Sequence, residues 1–234
     1  MFLKYHEVFT SIQGEGIGVG ELVTFIRLAG CNLRCFFCDT KFSWKTAGVE
    51  ISLDALVSCI KEKHIIRDVA ITGGEPLLQQ REILILAEKL FESGTQRLTI
   101  ETNGSVEIWD AQWNRFDNVL FSFSPKHSFF DDEQLKETFY SNLKRVKNHQ
   151  VKILVNVVAG KGYLSHLKSE ILHLPVPTDV IVQPIATGED SKAEQHKLMT
   201  YLLKGVLGNT AIWAGVPFRS LRFIGQFHKL FGLL

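Results

Sequence analysis

The most chemically distinctive part of the sequence is AGCNLRCFFCDT at residues 29–40, which contains three of the four cysteines. Cys31, Cys35 and Cys38 are separated by three and then two residues, so their thiolates can point at one metal centre from a short loop. A structural zinc site usually takes four ligands, and no second cysteine pair or spaced histidine pair accompanies these three. On a four-iron cluster, three thiolates would leave one iron open. A chance grouping is the competing interpretation, and Cys59 is interpreted as a small apolar residue of a helix.

Three shorter polar motifs could serve the same chemistry. In TGGEP (residues 72–76) two glycines allow close approach of the backbone to a ligand, and Glu75 can accept from an ammonium group. The same segment could be only a turn that leads from a strand into a helix. ETNG (residues 101–104) contains a good turn dipeptide, so its structural and functional interpretations both stay open. SPK ends at Lys126, a compact positive charge that suits a ligand oxygen, although a solvated lysine is the ordinary case.

Six apolar segments rich in β-branched or aromatic residues predict the buried strands that would position these motifs. They lie at residues 22–28, 68–72, 97–102, 118–123, 151–158 and 179–183. Helical spacing of apolar residues occurs between several of them, at residues 52–64, 83–90, 133–147 and 191–205. This alternation predicts an α/β fold with a partial (β/α)6-type parallel barrel. Ligands bind at the carboxyl ends of parallel strands, so we expect the motifs to share one rim.

The whole-chain composition favours a single α/β domain over residues 1–234. Of these residues 45% are hydrophobic and 22% charged, as in an ordinary domain of this length. Lys and Arg number 26 against 25 Asp and Glu, and the net charge of +1 predicts neither a nucleic-acid nor a membrane partner. A bilayer span needs about 20 apolar residues, which no stretch approaches, so we expect a cytoplasmic protein. The apolar tail at residues 218–234 is expected to pack on the core or on a second subunit.

The cysteine loop and TGGEP together resemble the radical S-adenosylmethionine superfamily. The resemblance implies a [4Fe-4S] cluster on Cys31, Cys35 and Cys38, with S-adenosylmethionine chelating the open iron. In that superfamily the reduced cluster splits the cofactor into methionine and a 5'-deoxyadenosyl radical, which abstracts a hydrogen atom from the substrate. TGGEP resembles the segment that holds the methionyl amino group, which makes Glu75 a candidate for the cofactor site.

Five motifs, in this order along the chain, are similar to those of the 7-carboxy-7-deazaguanine synthase family: FTSIQGEG, FIRLAGCNLRCFFCDT, TGGEP, ETNG and SPK. Family members are homodimers that convert 6-carboxy-5,6,7,8-tetrahydropterin to 7-carboxy-7-deazaguanine with loss of ammonia, on the route to queuosine. The resemblance therefore implies a lyase, a pterin substrate, a homodimer and an external electron donor such as flavodoxin or ferredoxin. It covers the chain to about residue 126 and continues thinly at 183–184 and 226–232.

The family resemblance also implies roles for individual residues. Thr40 matches the residue that supplies a hydroxyl to Mg²⁺, an ion that commonly keeps few protein ligands. The planar donor fork of Arg27 suits a substrate carboxylate. The expected substrate-binding positions are Ile12, Gln13, Gly14, Arg27 and Thr72. The expected cofactor-binding positions are Phe37, Cys38, Asp39, Gly74, Glu75, Ser124, Pro125, Lys126 and Gln183.

One departure and two alternative functions stay open. Two positions after Pro184 the family tends to carry an acidic residue, whereas this chain has Ala186, which leaves an adenosine contact there undecided. A glycyl-radical-enzyme activating enzyme has the same cysteine spacing, and IQGEG, Arg27 and Thr40 favour a small carboxylated substrate over it. A non-catalytic iron–sulfur or zinc binding module is the second alternative, and TGGEP argues against it.

Overall fold

The computed structural model describes residues 1–126, 132–156, 173–185, 193, 196–197, 199–200, 204 and 218–225. The strands among them are β1 (Phe2–Ile12), β2 (Leu22–Leu28), β3 (Val49–Ser52), β4 (Asp68–Gly73), β5 (Arg97–Thr102), β6 (Val119–Phe123), β7 (His149–Asn156), β8 (Thr178–Ile185) and β9 (Phe218–Phe223). The helices are α1 (Leu53–Lys63), α2 (Gln80–Glu92), α3 (Asp110–Trp113) and α4 (Glu133–Arg145). No helix in these residues is long and apolar enough to cross a membrane.

All of these strands belong to one open sheet, in the order β3-β1-β2-β4-β5-β6-β7-β8-β9. Strand β1 is antiparallel to β2 and to β3, whereas every pairing from β2 through β9 is parallel. The predicted α/β fold with a partial (β/α)6-type parallel barrel is therefore confirmed, as a mostly parallel sheet that is not closed. The six predicted strands correspond to β2, β4, β5, β6, β7 and β8, and the sequence analysis did not predict β1, β3 or β9.

The predicted helices at residues 52–64, 83–90 and 133–147 are confirmed as α1, α2 and α4. Helix α1 begins after Ser52, whose hydroxyl accepts a hydrogen bond from the backbone N–H of Ala55 at 3.2 Å. Helix α4 begins in the same way after Asp132. Such caps satisfy N–H groups that the first turn leaves without helical partners. The predicted helix at 191–205 lies largely outside the described residues, and the motif at 226–232 lies wholly outside them.

Residues of the parallel strands alternate between the helix-covered outer face and the concave inner face of the sheet. On β5, Leu98 and Ile100 are fully buried in the main hydrophobic core, which includes residues of α1 and α2. Their neighbours on the strand point the other way, and Glu101 reaches the cavity at the carboxyl end of the sheet. On β7 the same alternation directs Lys152 into that cavity. The fold thus sets polar side chains of buried strands into one concave interior.

Candidate active site

A cavity of about 680 Å³ opens where the parallel strands end. Its lining comes from the turn after β1, the loop after β2, the turn after β4 and the ends of β5, β6 and β7. These are the places where loops collect polar groups in open parallel sheets. The sequence-predicted residues that line it are Ile12, Gln13, Gly14, Arg27, Cys31, Cys35, Phe37, Cys38, Asp39, Thr40, Thr72, Gly74, Ser124 and Lys126.

Three predicted cofactor positions, Glu75, Pro125 and Gln183, are buried and lie outside this lining. The amide nitrogen and oxygen of Gln183 have no hydrogen-bond partner within the described part of the chain. Buried amides are normally satisfied, so both atoms are available to a polar group that is not among the described residues. Ala186, the departure from the family pattern, lies outside the described residues.

The cysteine loop is fixed at its start by backbone contacts. Gly30 has φ of +93°, a region that favours glycine, and its N–H donates to the carbonyl of Ser43 at 2.9 Å. Within the loop, the Leu33 N–H lies 3.4 Å from Cys31 Sγ, and the Cys38 N–H donates to the Cys35 carbonyl at 3.1 Å. All three cysteines are free and half-buried. The loop therefore presents three thiols to one cavity.

The donor set fits an iron–sulfur cluster. Burial raises the pKa of Cys31, and it also raises the pKa of Cys35, where the positive charge of Lys126 acts in the opposite direction. Bound metal reverses this preference because it deprotonates a coordinating thiol. No three His, Cys, Asp or Glu side chains converge closely enough for one metal ion in the described ranges. Three cysteine thiolates are the ligand type that iron–sulfur clusters take in proteins, and the three free cysteines line the same cavity.

The TGGEP turn packs directly on the start of the cysteine loop. The Glu75 N–H donates to the Gly30 carbonyl at 2.8 Å, and the Gly74 N–H donates to the Leu28 carbonyl at 3.3 Å. A β-carbon on Gly74 would lie 2.0 Å from the carbonyl oxygen of Gly30, so no larger residue fits without displacing backbone. Because Gly74 has no side chain, the backbone of TGGEP can pack directly on the backbone of Gly30. This contact joins TGGEP to the cysteine loop, the two predicted cofactor motifs.

The Glu75 carboxylate is directed into the protein rather than into the cavity. It accepts hydrogen bonds from the backbone N–H of Leu77 at 3.0 Å, from Thr102 Oγ1 at 2.7 Å and from the backbone N–H of Asn103 at 2.7 Å. Burial raises the pKa of Glu75, and these hydrogen bonds act against that shift. The side chain connects TGGEP to ETNG, and its predicted contact with a cofactor ammonium group stays a prediction.

Arg27 lies on the inner face of β2 with its guanidinium in the cavity. Its Nε donates to Glu7 Oε1 at 2.6 Å, and the guanidinium carbon lies 5.2 Å from the centroid of the Phe9 ring. On the other side, Arg27 is the register partner of Thr72 on β4. The structure therefore brings two predicted substrate-binding residues side by side.

Lys126 enters the cavity from the segment after β6. Its Nζ lies 3.1 Å from Ser124 Oγ, and burial lowers the pKa of its ammonium group while the charge of Cys35 acts in the opposite direction. Two predicted cofactor-binding residues are thus in contact beside the cysteine loop.

Three ionisable residues of the cavity were missed as individual site residues in the sequence. The Nζ of Lys152 lies 2.7 Å from Glu15 Oε2, and Gln13 Nε2 donates to Glu101 Oε1 at 3.1 Å. A signal for Lys152 was present, since a lysine inside the apolar strand VKILVNVV is unusual unless it has a partner. The partner is 137 positions away in sequence, so only the fold identifies it.

The Radical SAM superfamily matches residues 25–166, which is more than half of the chain and includes the cysteine loop. Fold, site and match together define a radical SAM protein. The chain is 31% identical over 233 residues to 7-carboxy-7-deazaguanine synthase of Aquifex aeolicus, covering 99% of this chain and 94% of that one. It is 40% identical over 186 residues to the Clostridium acetobutylicum enzyme of the same name, covering 78% and 76%. The chain therefore belongs to the 7-carboxy-7-deazaguanine synthase family.

Other matches to this family are shorter. A relative from Methanospirillum hungatei is 44% identical over 110 residues, and there the chain spans 46% of its own length and 45% of the relative's. Matches to relatives from Pyrobaculum aerophilum and Hyperthermus butylicus span similar shares, 45% and 43% of the relatives' lengths. The chain thus spans less than half the length of these three relatives.

Solved structures share the fold. QueE from Escherichia coli superposes with a TM-score of 0.63 at 24% identity, covering 97% of this chain and 95% of that chain. The protein anSMEcpe, solved with bound AdoMet, gives a TM-score of 0.54 at 16% identity, covering 82% of this chain and 61% of that chain. Membership in the superfamily supports S-adenosylmethionine and a [4Fe-4S] cluster as cofactors.

Proposed function

We propose that this chain is a carbon–nitrogen lyase that converts 6-carboxy-5,6,7,8-tetrahydropterin to 7-carboxy-7-deazaguanine with loss of ammonia, in deazapurine biosynthesis. One observation carries the proposal: a single cavity is lined both by three free thiols and by the arginine and glutamine expected to bind the pterin. Its volume of about 680 Å³ lies within the range of small-molecule sites, about 300–1,000 Å³.

The cofactors are assigned to the residues around the cysteine loop. Cys31, Cys35 and Cys38 would hold the [4Fe-4S] cluster through their thiolates. When bound, the reduced cluster and S-adenosylmethionine supply a 5'-deoxyadenosyl radical that abstracts hydrogen from the substrate. Gln183 would give to the cofactor its side-chain amide, which has no hydrogen-bond partner among the described residues. The other residues assigned to cofactor binding are Phe37, Asp39, Gly74, Glu75, Ser124, Pro125 and Lys126.

The substrate is assigned to the residues nearest Arg27. Because its Nε is paired with Glu7, the two Nη groups are the donors that would meet the substrate carboxylate. Thr72 on the adjacent strand and the Ile12-Gln13-Gly14 turn would contact the same molecule. Removing this carboxylate from water strengthens its attraction to the guanidinium and fixes the orientation of the ring.

Magnesium is assigned to Thr40, which follows the cysteine loop and lines the cavity. Its Oγ1 lies 3.7 Å from Cys38 Sγ and 3.4 Å from Ser43 Oγ. A single hydroxyl suffices as the protein ligand if substrate oxygens and water complete the shell, as is common for Mg²⁺. The ion would orient the substrate and stabilise negative charge during ring rearrangement.

The same function implies two macromolecular partners. A second copy would form the homodimer, and a one-electron donor such as flavodoxin or ferredoxin would reduce the cluster. Free cysteines that ligate iron require reducing conditions, which favours the cytoplasm. The net charge of +1 supplies no chain-wide attraction for nucleic acid or a membrane surface, so we expect neither as a partner.

Anaerobic turnover tests the proposal. Protein with a reconstituted, reduced cluster is mixed with S-adenosylmethionine and 6-carboxytetrahydropterin, and products are followed by mass spectrometry. We expect 7-carboxy-7-deazaguanine to form and ammonia to be released. Release of 5'-deoxyadenosine alone would retain radical chemistry and reject this substrate. If protein with a full cluster forms neither 7-carboxy-7-deazaguanine nor 5'-deoxyadenosine, the result would favour a non-catalytic binding module.

A further inference from the structure

The turn that follows β1 folds into the sheet interior and separates two cavities. The Gln13 N–H donates to the Glu21 carbonyl at 2.7 Å, and the Gly20 N–H returns to the Gln13 carbonyl at 2.9 Å, which closes the turn. Gln13 and Glu15 line both the 680 Å³ cavity and a second cavity of about 200 Å³. The turn, residues 13–21, is therefore a floor whose position sets the depth of the proposed substrate site.

A buried ion pair connects this floor to β7. The Nζ of Lys152 lies 2.7 Å from Glu15 Oε2, and the two side chains are only 5% and 21% exposed. Burial disfavours the charge of Lys152, but the carboxylates of Glu15 and Glu101 outweigh that effect and the pKa of Lys152 is raised. Each charge thus depends on the other, since an unpaired buried charge is far more costly than a pair.

Two further contacts hold the same turn. Gln13 Nε2 donates to Glu101 Oε1 on β5 at 3.1 Å, and the Ile17 N–H donates to Gln150 Oε1 on β7 at 2.8 Å. Between them Gly16 has φ of +73°, and a β-carbon there would lie 2.4 Å from the side-chain nitrogen of Gln150. The turn is pressed against β7, and Lys152 supplies the charged contact.

We propose that Lys152 is a positioning residue for the substrate, acting through Glu15 to hold the Gln13-Gly14 edge of the turn against the cavity. This inference rests on the proposed function, because the ligand positioned is the pterin. The Lys152 ammonium is bonded directly to Glu15 of the turn, so its removal would release the floor that carries the expected substrate-binding residues Gln13 and Gly14. Substrate affinity, rather than cofactor cleavage, is then the property that depends on the pair.

Lys152→Met tests this by retaining the apolar stem and removing the charge. We expect the KM for the pterin to rise at least about tenfold while substrate-independent release of 5'-deoxyadenosine stays within about twofold of wild type. Backbone amide hydrogen exchange in residues 13–21 is expected to accelerate. Lys89→Met is the matched control, since it breaks a 2.6 Å pair with Asp54 on the protein surface. It should change neither the KM for the pterin nor the hydrogen exchange of residues 13–21.

The double variant Glu15→Gln/Lys152→Met covers the case in which the single variant is unstable, because it removes both members of the 2.7 Å ion pair. We expect the KM of the double variant to be close to that of Lys152→Met. Independent residues would instead multiply the fold increases in KM of the two single variants, whereas residues that act together do not. A folded Lys152→Met or double variant with wild-type KM, or with wild-type exchange in the turn, would overturn the inference. Hydrogen exchange needs no substrate, so a wild-type protein that does not turn over the pterin would reject the proposed function separately.

Discussion

Glu75 Oε2 accepts a hydrogen bond from the backbone N–H of Asn103 at 2.7 Å, across 28 positions of sequence. This contact joins the turn after β4 to the end of β5, and the other carboxylate oxygen takes Thr102 and Leu77 as donors. Two motifs whose structural and functional interpretations were both open in the sequence are thus one connected unit. The fully buried carboxylate holds that unit together beneath the cysteine loop.

Glu75→Gln is expected to lower the free energy of unfolding. The amide can place its oxygen near Leu77 and Thr102, but its NH₂ group then faces the N–H of Asn103, which loses its buried acceptor while the NH₂ group gains none. The cost of such a loss is about 1–3 kcal/mol. Urea unfolding measures it, with Glu62→Gln on the exposed face of α1 as the control. Equal unfolding midpoints in the two variants would contradict the connecting role of Glu75.

Gly74→Ala is expected to reduce the iron content of reconstituted protein. Its β-carbon would lie 2.0 Å from the Gly30 oxygen and 2.8 Å from the Ser43 oxygen, both backbone atoms that flank the cysteine loop. Overpacking of this kind costs about 1–3 kcal/mol and here displaces the loop itself. Gly94→Ala is the control, because φ of +108° strains alanine there but nothing lies within 4 Å. Iron per chain should fall only in Gly74→Ala; a similar fall in both would show general destabilisation.

The central strands were predictable because burial on both faces makes them continuous apolar segments, as in VKILVNVV. Strand β1 has no such segment. Among its residues only Leu3 is fully buried, and the others show little alternation between buried and exposed positions. Strand β3 is four exposed or half-buried residues, and its pairing with β1 is set by the fold rather than by its own composition. The antiparallel strands β1 and β3, at one end of the sheet, therefore escaped prediction.

The residues of the candidate site were also only partly predictable from the sequence. Cys31, Cys35 and Cys38 are close in sequence, so their spacing alone indicated a shared centre. Lys152 and Glu15 are distant in sequence, and only the packing of the turn against β7 pairs them. Local chemistry is readable from the chain, whereas charge compensation across the interior depends on tertiary structure.

Cys35→Ala is expected to abolish both the cluster and turnover, because three thiolates already leave one iron open and two would not hold a four-iron cluster. Cys59→Ala, in α1, provides the matched control and should retain both. Iron and sulfide analysis with the visible absorption spectrum reports the cluster, and mass spectrometry reports the product. An intact cluster in Cys35→Ala would remove that residue from the ligand set.

Thr40→Ala is expected to weaken the stimulation of turnover by Mg²⁺ while leaving cluster content unchanged. The substitution removes a hydroxyl that lines the cavity, whereas the backbone carbonyl of Thr40 still accepts from Ser43 Oγ, at 2.7 Å in the wild type. Thr46→Ala, at an exposed position, is the control. Turnover is measured over a Mg²⁺ titration after chelation of divalent ions. An identical magnesium response in Thr40→Ala and wild type would exclude Thr40 as a ligand.

His149 is expected to make the folded state sensitive to mild acid. It is 5% exposed at the start of β7, with its Nε2 at 3.2 Å from Thr178 Oγ1, and burial, assisted by the charge of Arg219, lowers the pKa of its imidazole. An unfolded histidine titrates near pH 6.5, so below about that pH the unfolded chain binds a proton that the folded chain resists. Stability from His149 is therefore present above about pH 6.5 and lost as the pH falls.

The comparison that isolates this effect is wild type against His149→Gln, each unfolded in urea at about pH 7.5 and about pH 5.5, on either side of the unfolded pKa. Other titrating groups contribute equally to both proteins, so the difference between their acid losses belongs to His149. We expect the wild type to lose more stability than the variant between the two pH values. Equal losses of stability in the two proteins would contradict the prediction. They would mean that protonation of His149 costs the folded state nothing because the buried imidazolium finds a partner for its charge.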